Sequence, residues 1–186
     1  TNKKAYELQL EGIRKMYRNE TVYHRLNYML EKVDMKSYTQ TINKKIIVIV
    51  DDINNCNNAD NFCRQSYENK QLVSLSDLNE ATVSLSDMFT FFDKNAFYGE
   101  TYLEDMVNGF KFTDVDYITK EAYLDGERFT KGTRHNYTNN EPVIFRTVFW
   151  SKSYDYESIV KMEPKGKEET IGYAVDALNY MPCNKE

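Results

Sequence analysis

Apolar residues recur every three or four positions in the first part of the chain, which predicts amphipathic helices. A first helix is expected over residues 5–18, and a second begins after a cap at Asn19 or Thr21. The apolar positions of the two helices are Leu8, Leu10, Ile13, Met16, Val22, Leu26, Met29, Leu30 and Val33. Together they form one apolar face that needs something to pack on. The polar residues that follow lack this periodicity and predict a linker.

From residue 45 onward, short β-branched and aromatic runs replace the helical period. Residues 45–50 are typical of a strand buried on both faces, residues 57–67 have helical spacing, and residues 71–75 predict a second strand. A strand, a helix and a strand in this order predict a parallel crossover. The other predicted elements are strands at 88–92, 116–124 and 143–150, a helix through Leu103, Met106, Val107 and Phe110, a loop at 161–170, and a short strand or docked tail at 171–180. Residues 82–85 fit no single element.

These patterns predict an α/β fold with a mostly parallel central sheet, flanking helices and an N-terminal helical segment. The expected boundaries are 1–33 for the helical segment, 34–44 for the linker and 45–186 for the α/β domain. A chain of 186 residues, with 41% hydrophobic and 28% charged residues, has the size and composition of one globular domain with an appendage.

Charge and cysteine content narrow the class of protein. The net charge of -5 argues against nucleic-acid binding, which requires a concentrated basic surface. Cys56, Cys63 and Cys183 include no closely spaced pair, so we expect reduced, mostly buried thiols rather than a disulfide or zinc site. We also expect no transmembrane segment, because the longest aliphatic run is residues 46–50, and no basic and apolar leader opens the chain. The default location is cytoplasmic.

The strand at 88–92 ends on Asp93, and a helix is predicted a few residues later. Open α/β sheets usually place their ligand sites at such a strand end. A carboxylate at this position is suited to holding a metal ion and, through it, a sugar-nucleotide pyrophosphate. The turn offers Asp93, Lys94 and Asn95. Asp93 is also typical of a turn residue that caps a helix. Asp51 and Asp52 are also typical of residues that simply end a strand.

Several segments resemble a known family. Residues 45–50 followed by 62–73 (FCRQSYENKQLV) resemble inverting family 2 glycosyltransferases that use nucleotide-diphospho-sugars. Residues 97–105 (FYGETYLED) and 110–120 (FKFTDVDYITK) are similar to a bacterial subset that builds cell-envelope polysaccharide or teichoic acid. Residues 13–26 look like the end of a glycosyltransferase module, related to spore-maturation proteins, that precedes such domains. The chain would then be a piece of a longer protein.

The resemblance implies a truncated, Rossmann-like glycosyltransferase A fold and a set of functional residues. Asp51, Asp52 or Asp77 would bind the nucleotide base. Asp93 would contact the diphosphate. Asp93 and Asn95 would hold Mg²⁺ or Mn²⁺. A catalytic base would take the proton of the acceptor hydroxyl. By position the candidates for this base are Asp155 and Glu157. Glu168 and Glu169, later in the chain, are further candidates.

The same resemblance implies ligands and partners. The donor would be a nucleotide-diphospho-sugar, most commonly a UDP-sugar, and the acceptor a cell-envelope glycan or teichoic acid. The domain would work in the cytoplasm or at the inner face of the membrane. The apolar face of the N-terminal helices would pack on its own domain, on an upstream glycosyltransferase module, or on a second copy of the chain.

Departures from the family pattern lead to a second hypothesis. Asn95 replaces the second carboxylate of the metal turn, and the charge of Lys94 competes with a cation. The family normally has another strand and a helix before the metal turn, and the interval 78–92 is too short to hold both that helix and the strand before Asp93. The alternative is therefore a degenerate, non-catalytic domain that binds a glycan or a partner, or serves assembly. A third hypothesis is an unrelated α/β protein, which a structure without a parallel sheet through Ile47, Val73 and Phe91 would indicate.

Other charged side chains have two interpretations each. The lysines in question are Lys70, Lys94, Lys111 and Lys120. They would either contact phosphate or simply keep the surface soluble. His135 would either contact an acceptor or be an ordinary surface imidazole. His24 is expected in solvent on a charged helix.

Overall fold

The computed structural model describes residues 3–35, 44–125 and 128–182. The chain divides into two compact units, Thr1–Asn43 and Lys44–Glu186. Most of the predicted linker, 34–44, lies outside the described residues, as does Cys183.

The first unit contains two helices, α1 (Lys3–Asn19) and α2 (Val22–Lys32). Thr21 caps α2: its hydroxyl accepts a hydrogen bond from the amide of His24, and Nδ1 of His24 accepts one from the Thr21 amide. His24 thus has a capping role instead of being simply solvated. Leu26, Met29 and Val33 are exposed. The expectation that they pack on this domain, on an upstream module or on a second copy stays a prediction.

The second unit contains strands and short helices. Its strands are β1 (Ile46–Val50), β2 (Lys70–Ser74), β3 (Met88–Phe91), β4 (Ala96–Tyr98), β5 (Tyr117–Thr119), β6 (Leu124–Asp125), β7 (Arg128–Phe129), β8 (Asn136–Thr138), β9 (Thr147–Trp150), β10 (Gly172–Ala174) and β11 (Tyr180–Pro182). Its helices are α3 (Cys56–Arg64), α4 (Glu80–Ser84), α5 (Tyr102–Phe112) and α6 (Tyr156–Val160).

Seven strands form a mixed sheet in the order β2-β1-β3-β9-β5-β10-β8. β1 pairs in parallel with β2 and β3, and β5 pairs in parallel with β10. β9 is antiparallel to β3 and β5, and β8 is antiparallel to β10. Five strands therefore share one direction. The expected α/β fold with a mostly parallel sheet core is confirmed, as are the crossover from β1 through α3 to β2 and the parallel strands through Ile47, Val73 and Phe91.

The core lies on both faces of this sheet. Ile46, Val48 and Val50 join one buried cluster, whereas Ile47 and Ile49 join the other. Because successive side chains of a strand point to opposite faces, this division confirms that β1 is buried on both sides. α5 packs in the first cluster, and the stacked rings of Phe89 and Phe149 lie in the second, with ring centroids 4.9 Å apart.

Several predicted elements differ from the structure. Of the strand predicted at 116–124, only β5 joins the seven-stranded sheet. β6 pairs antiparallel with β7 in a separate two-stranded sheet. The strand predicted at 143–150 begins with a 3₁₀ turn, Ile144–Arg146, before β9. The tail at 171–180 contains β10, and β11, which begins at its last residue, pairs with β4.

The interval 78–92, before Asp93, contains both a short helix and a strand. Asn79 caps α4 by accepting a hydrogen bond from the amide of Thr82 at 2.9 Å, and β3 follows within four residues. A helix and the strand both fit because α4 has only five residues. That the helix of the family cannot fit beside the strand stays a prediction. The prediction of mostly buried thiols is wrong for Cys56 and Cys63, which are free and exposed.

Within the described ranges, no helix is long and apolar enough to cross a lipid bilayer.

Candidate functional site

A pocket lies where β1 and β3 end. The chain passes from β1 to β2 on one side and then to β3 on the other side of β1. This reversal opens a crevice at the carboxyl ends of the strands, where open α/β sheets bind ligands. The pocket has a volume of about 150 Å³, and its lining includes Val50, Asp51, Leu75, Phe91, Asp93 and Lys94. Phe145 and Met162 complete its apolar wall.

Asp51, directly after β1, is held by three donors. Its Oδ1 accepts hydrogen bonds from Nδ2 of Asn58 at 3.0 Å and from the Asp52 amide at 2.9 Å. Its Oδ2 lies 2.7 Å from Nζ of Lys94. The bond from Lys94 holds the pKa of Asp51 below its ordinary value, and the same bond raises the pKa of Lys94. Both groups therefore stay charged near neutral pH.

The buried side chain of Tyr98 holds the Asp93 turn in place. The hydroxyl of Tyr98 accepts a hydrogen bond from the Asp93 amide at 3.0 Å and donates one to the Phe145 carbonyl at 2.7 Å. Its ring stacks on Phe92 with centroids 3.9 Å apart. Within the turn, Oδ1 of Asp93 accepts from the backbone amide of Asn95 at 2.9 Å and from its Nδ2 at 3.1 Å.

Three polar residues of α3 and its C-terminal end hold the loops of the site together. Nδ2 of Asn58, which is buried, also donates to the Asp52 carbonyl at 2.9 Å. Asn61 accepts from the Tyr98 amide and donates to the Ala96 carbonyl. Gln65 donates to the Gly99 carbonyl and accepts from the Leu103 amide, both at 3.0 Å.

Sequence patterns alone did not identify these positioning residues, although a signal was present. Asn58, Asn61 and Gln65 recur at intervals of three and four, the spacing of one helical face. A polar row at that spacing, inside a helix that connects two buried strands, predicts buried hydrogen bonds to neighbouring loops. Tyr98 stands out in the sequence only as part of a motif.

The structure brings some of the predicted donor-binding residues together. Asp51 and Asp93 both line the pocket. Asp52 is exposed beside it, with Oδ1 accepting from the Asn54 amide, and Asp77 is exposed in the turn after β2. Both lie at the same edge of the sheet but not in the pocket lining.

The two candidates for a catalytic base are placed elsewhere. They follow β9, whose antiparallel direction carries the chain to the opposite edge, where the Ser151 amide donates to the Asp87 carbonyl before β3. Asp155 precedes α6 and Glu157 lies in its first turn, and both are exposed. Glu168 and Glu169 are exposed in the predicted loop. Neither Asp155 nor Glu157 is among the residues that line the pocket with Asp51 and Asp93.

The residues of the turn do not match the oxygen ligands that Mg²⁺ or Mn²⁺ prefers. Asp93 is the only carboxylate of the turn, and the side-chain amide of Asn95 directs its nitrogen towards that carboxylate. A cation shared with Asp51 would have to displace the Lys94 ammonium. In the described part of the chain, no group of three or more His, Cys, Asp or Glu side chains is arranged to hold a metal ion.

The remaining charged candidates have varied positions. Lys120 is fully buried and pairs with Asp176 at 2.8 Å, so the expectation of a surface charge is wrong for this residue. Nζ of Lys70 donates to the carbonyls of Gln65 and Tyr67 at the end of α3, and burial lowers the pKa of Lys70. His135 is exposed just before β8, with φ of 51°.

No model of a known protein family matches the sequence, and no curated protein matches it significantly.

Proposed function

We propose that the second unit is a glycosyltransferase-like domain that binds a nucleotide-diphospho-sugar at the carboxyl ends of β1 and β3. The sugar would pass to a cell-envelope glycan or teichoic-acid acceptor. One observation carries the proposal: Asp51 and Asp93 meet in a pocket where the strand order reverses. This is the position at which open α/β sheets bind nucleotides.

The pocket suits one ring system of the donor. Its volume of about 150 Å³ is well below the roughly 300–1,000 Å³ of pockets that enclose a drug-sized ligand. The nucleobase would enter between Leu75, Phe145 and Met162, with Asp51 at the rim to accept hydrogen bonds from ring N–H groups. The diphosphate and sugar would then extend outward over the Asp93 turn.

The transfer step makes a further demand on the protein. An acceptor hydroxyl oxygen would form a bond to the anomeric carbon, the bond from that carbon to the diphosphate would break, and the diphosphate would leave with the electron pair. A base would take the hydroxyl proton. The resemblance assigns this base to Asp155 or Glu157, but neither lies in the pocket. The geometry therefore supports donor binding, and the transfer rests on the resemblance.

The second candidate function is binding without catalysis. Asp155 and Glu157 are exposed and do not line the pocket, which favours it, as does Asn95 in place of a second turn carboxylate. In this case the domain would retain a nucleotide-sugar or glycan and contribute to assembly with a partner enzyme.

Donor binding is tested by calorimetric titration of the full chain with uridine diphosphate. We expect saturable binding that Leu75→Trp weakens at least about tenfold, because the indole would fill a pocket of this size. Leu85→Trp is the matched control, since Leu85, directly after α4, is exposed and outside the pocket lining. Absence of binding to the wild-type chain would contradict the proposal, and equal binding by both variants would place the ligand elsewhere.

Release of uridine diphosphate from UDP-glucose and related donors, measured with a cell-envelope acceptor, separates the two candidate functions. Turnover that depends on the acceptor supports glycosyl transfer. Donor binding without any turnover supports the non-catalytic alternative.

A further inference from the structure

Lys94 is the cation of the pocket. Among the residues that line it, Lys94 is the only one with a positive charge, and its ammonium lies 2.7 Å from Oδ2 of Asp51. A diphosphate bound here would require a positive partner, because Asp51 and Asp93 alone would repel it. Lys94 is also anchored at its backbone, where its carbonyl accepts a hydrogen bond from Nδ2 of Asn57 at 3.2 Å.

A divalent cation would compete with this ammonium for the same oxygen atoms. Oδ2 of Asp51 is 2.7 Å from Nζ of Lys94, and Oδ1 already accepts two hydrogen bonds. Oδ1 of Asp93 accepts two more from Asn95. A metal ion would have to remove several of these donors and lie close to a like charge.

Lys94 can change partners at little cost. The side chains of Lys94 and Asp51 are 44% and 48% exposed, and ion pairs in contact with solvent contribute little to stability. When Lys94 turns away, Asp51 keeps its hydrogen bonds from Asn58 and from the Asp52 amide. No buried charge is left unpaired by the exchange.

We propose that the pocket binds nucleoside diphosphates without a divalent cation, and that Lys94 leaves Asp51 to pair with the diphosphate. The inference rests on the proposed donor site. The ammonium of Lys94, a side chain of the turn, would neutralise the negative charge of the diphosphate in place of a metal ion.

The experiment compares uridine diphosphate binding by the full chain in EDTA and in MnCl₂, using calorimetry. We expect dissociation constants that agree within about twofold in the two buffers. Lys94→Met should weaken binding in EDTA about tenfold or more, because it removes a charged hydrogen bond to phosphate. Lys152→Met is the matched control, since Lys152 is exposed at the opposite edge of the sheet. Circular dichroism checks that both variants fold.

Each other outcome overturns a defined part of the inference. Binding that requires Mn²⁺ would contradict metal independence and leave the proposed donor site intact. Equal binding by Lys94→Met and the wild-type chain in EDTA would remove the role of Lys94. Absence of binding in both buffers would overturn the inference together with the proposed function.

Discussion

At the scale of single residues, the role of an ion pair depends on how deeply its two side chains are buried. Lys94 and Asp51 form an ion pair in contact with solvent, whereas Lys120 and Asp176 form one with 0% and 2% exposed side chains. Oδ1 of Asp176 also accepts a hydrogen bond from the Leu178 amide at 2.7 Å. The buried pair joins the ends of β5 and β10, so it has a structural role, while the exposed pair can exchange its partner.

Lys120→Met should strongly destabilise the second unit. The substitution leaves the carboxylate of Asp176 buried without its ammonium, which typically costs about 3–5 kcal/mol. The free energy of unfolding in urea, followed by fluorescence of the single tryptophan, Trp150, measures the effect.

Lys152→Met provides the control for that substitution, because it changes an exposed lysine and should alter stability little. The double variant Lys120→Met/Asp176→Leu removes both charges and should regain part of the loss. A single variant as stable as the wild-type chain would show that the buried pair contributes nothing to stability.

At the scale of elements, close approach between two parallel strands fixes one edge of the sheet. Gly172 of β10 is paired with Tyr117 of β5, and a Cβ atom at position 172 would overlap the Tyr117 ring. The ring cannot easily move, because Tyr117 is 1% exposed and its hydroxyl donates to the Asn140 carbonyl at 2.7 Å. Glycine is therefore required here to let the ring lie across the ladder.

Gly172→Ala should destabilise the protein by about 1–3 kcal/mol, the usual cost of forcing an additional group into a packed core. The thermal midpoint measured by circular dichroism should fall. Gly12→Ala is the matched control, because a Cβ at this position of α1 would meet no atom within 4 Å. It should be neutral or stabilise by up to about 1 kcal/mol, since alanine favours helices. Equal effects of the two substitutions would contradict the packing explanation.

At the scale of the whole molecule, the chain forms two compact units, Thr1–Asn43 and Lys44–Glu186. Both clusters of buried apolar residues in the second unit consist of residues between Ile46 and Tyr180. The candidate site is also built within this unit, from the strand ends and from α3. A unit with its own core is expected to fold as an independent domain.

A shortened chain of residues 44–186 should therefore fold without the N-terminal helices. We expect a single cooperative transition in urea by Trp150 fluorescence, and uridine diphosphate binding equal to that of the full chain. A shortened chain that is soluble but unfolds without cooperativity would show that the second unit depends on the first.

The sequence by itself determined the local elements and the places where strands end. Side-chain periodicity, which depends only on near neighbours, predicts the helix α5 and the strands β1, β2 and β3. The acidic residues that follow these strands are read directly from the sequence. The sequence also indicated that residues 45–50 are buried on both faces.

Only the tertiary structure decided how these elements meet. The antiparallel direction of β9 leaves no mark on an apolar run, because either direction buries the same side chains. Lys94 pairs with Asp51, which is 43 positions away in the chain. The buried Lys120 pairs with Asp176, which is 56 positions away. Such contacts depend on which strands become neighbours, and local periodicity does not specify that choice.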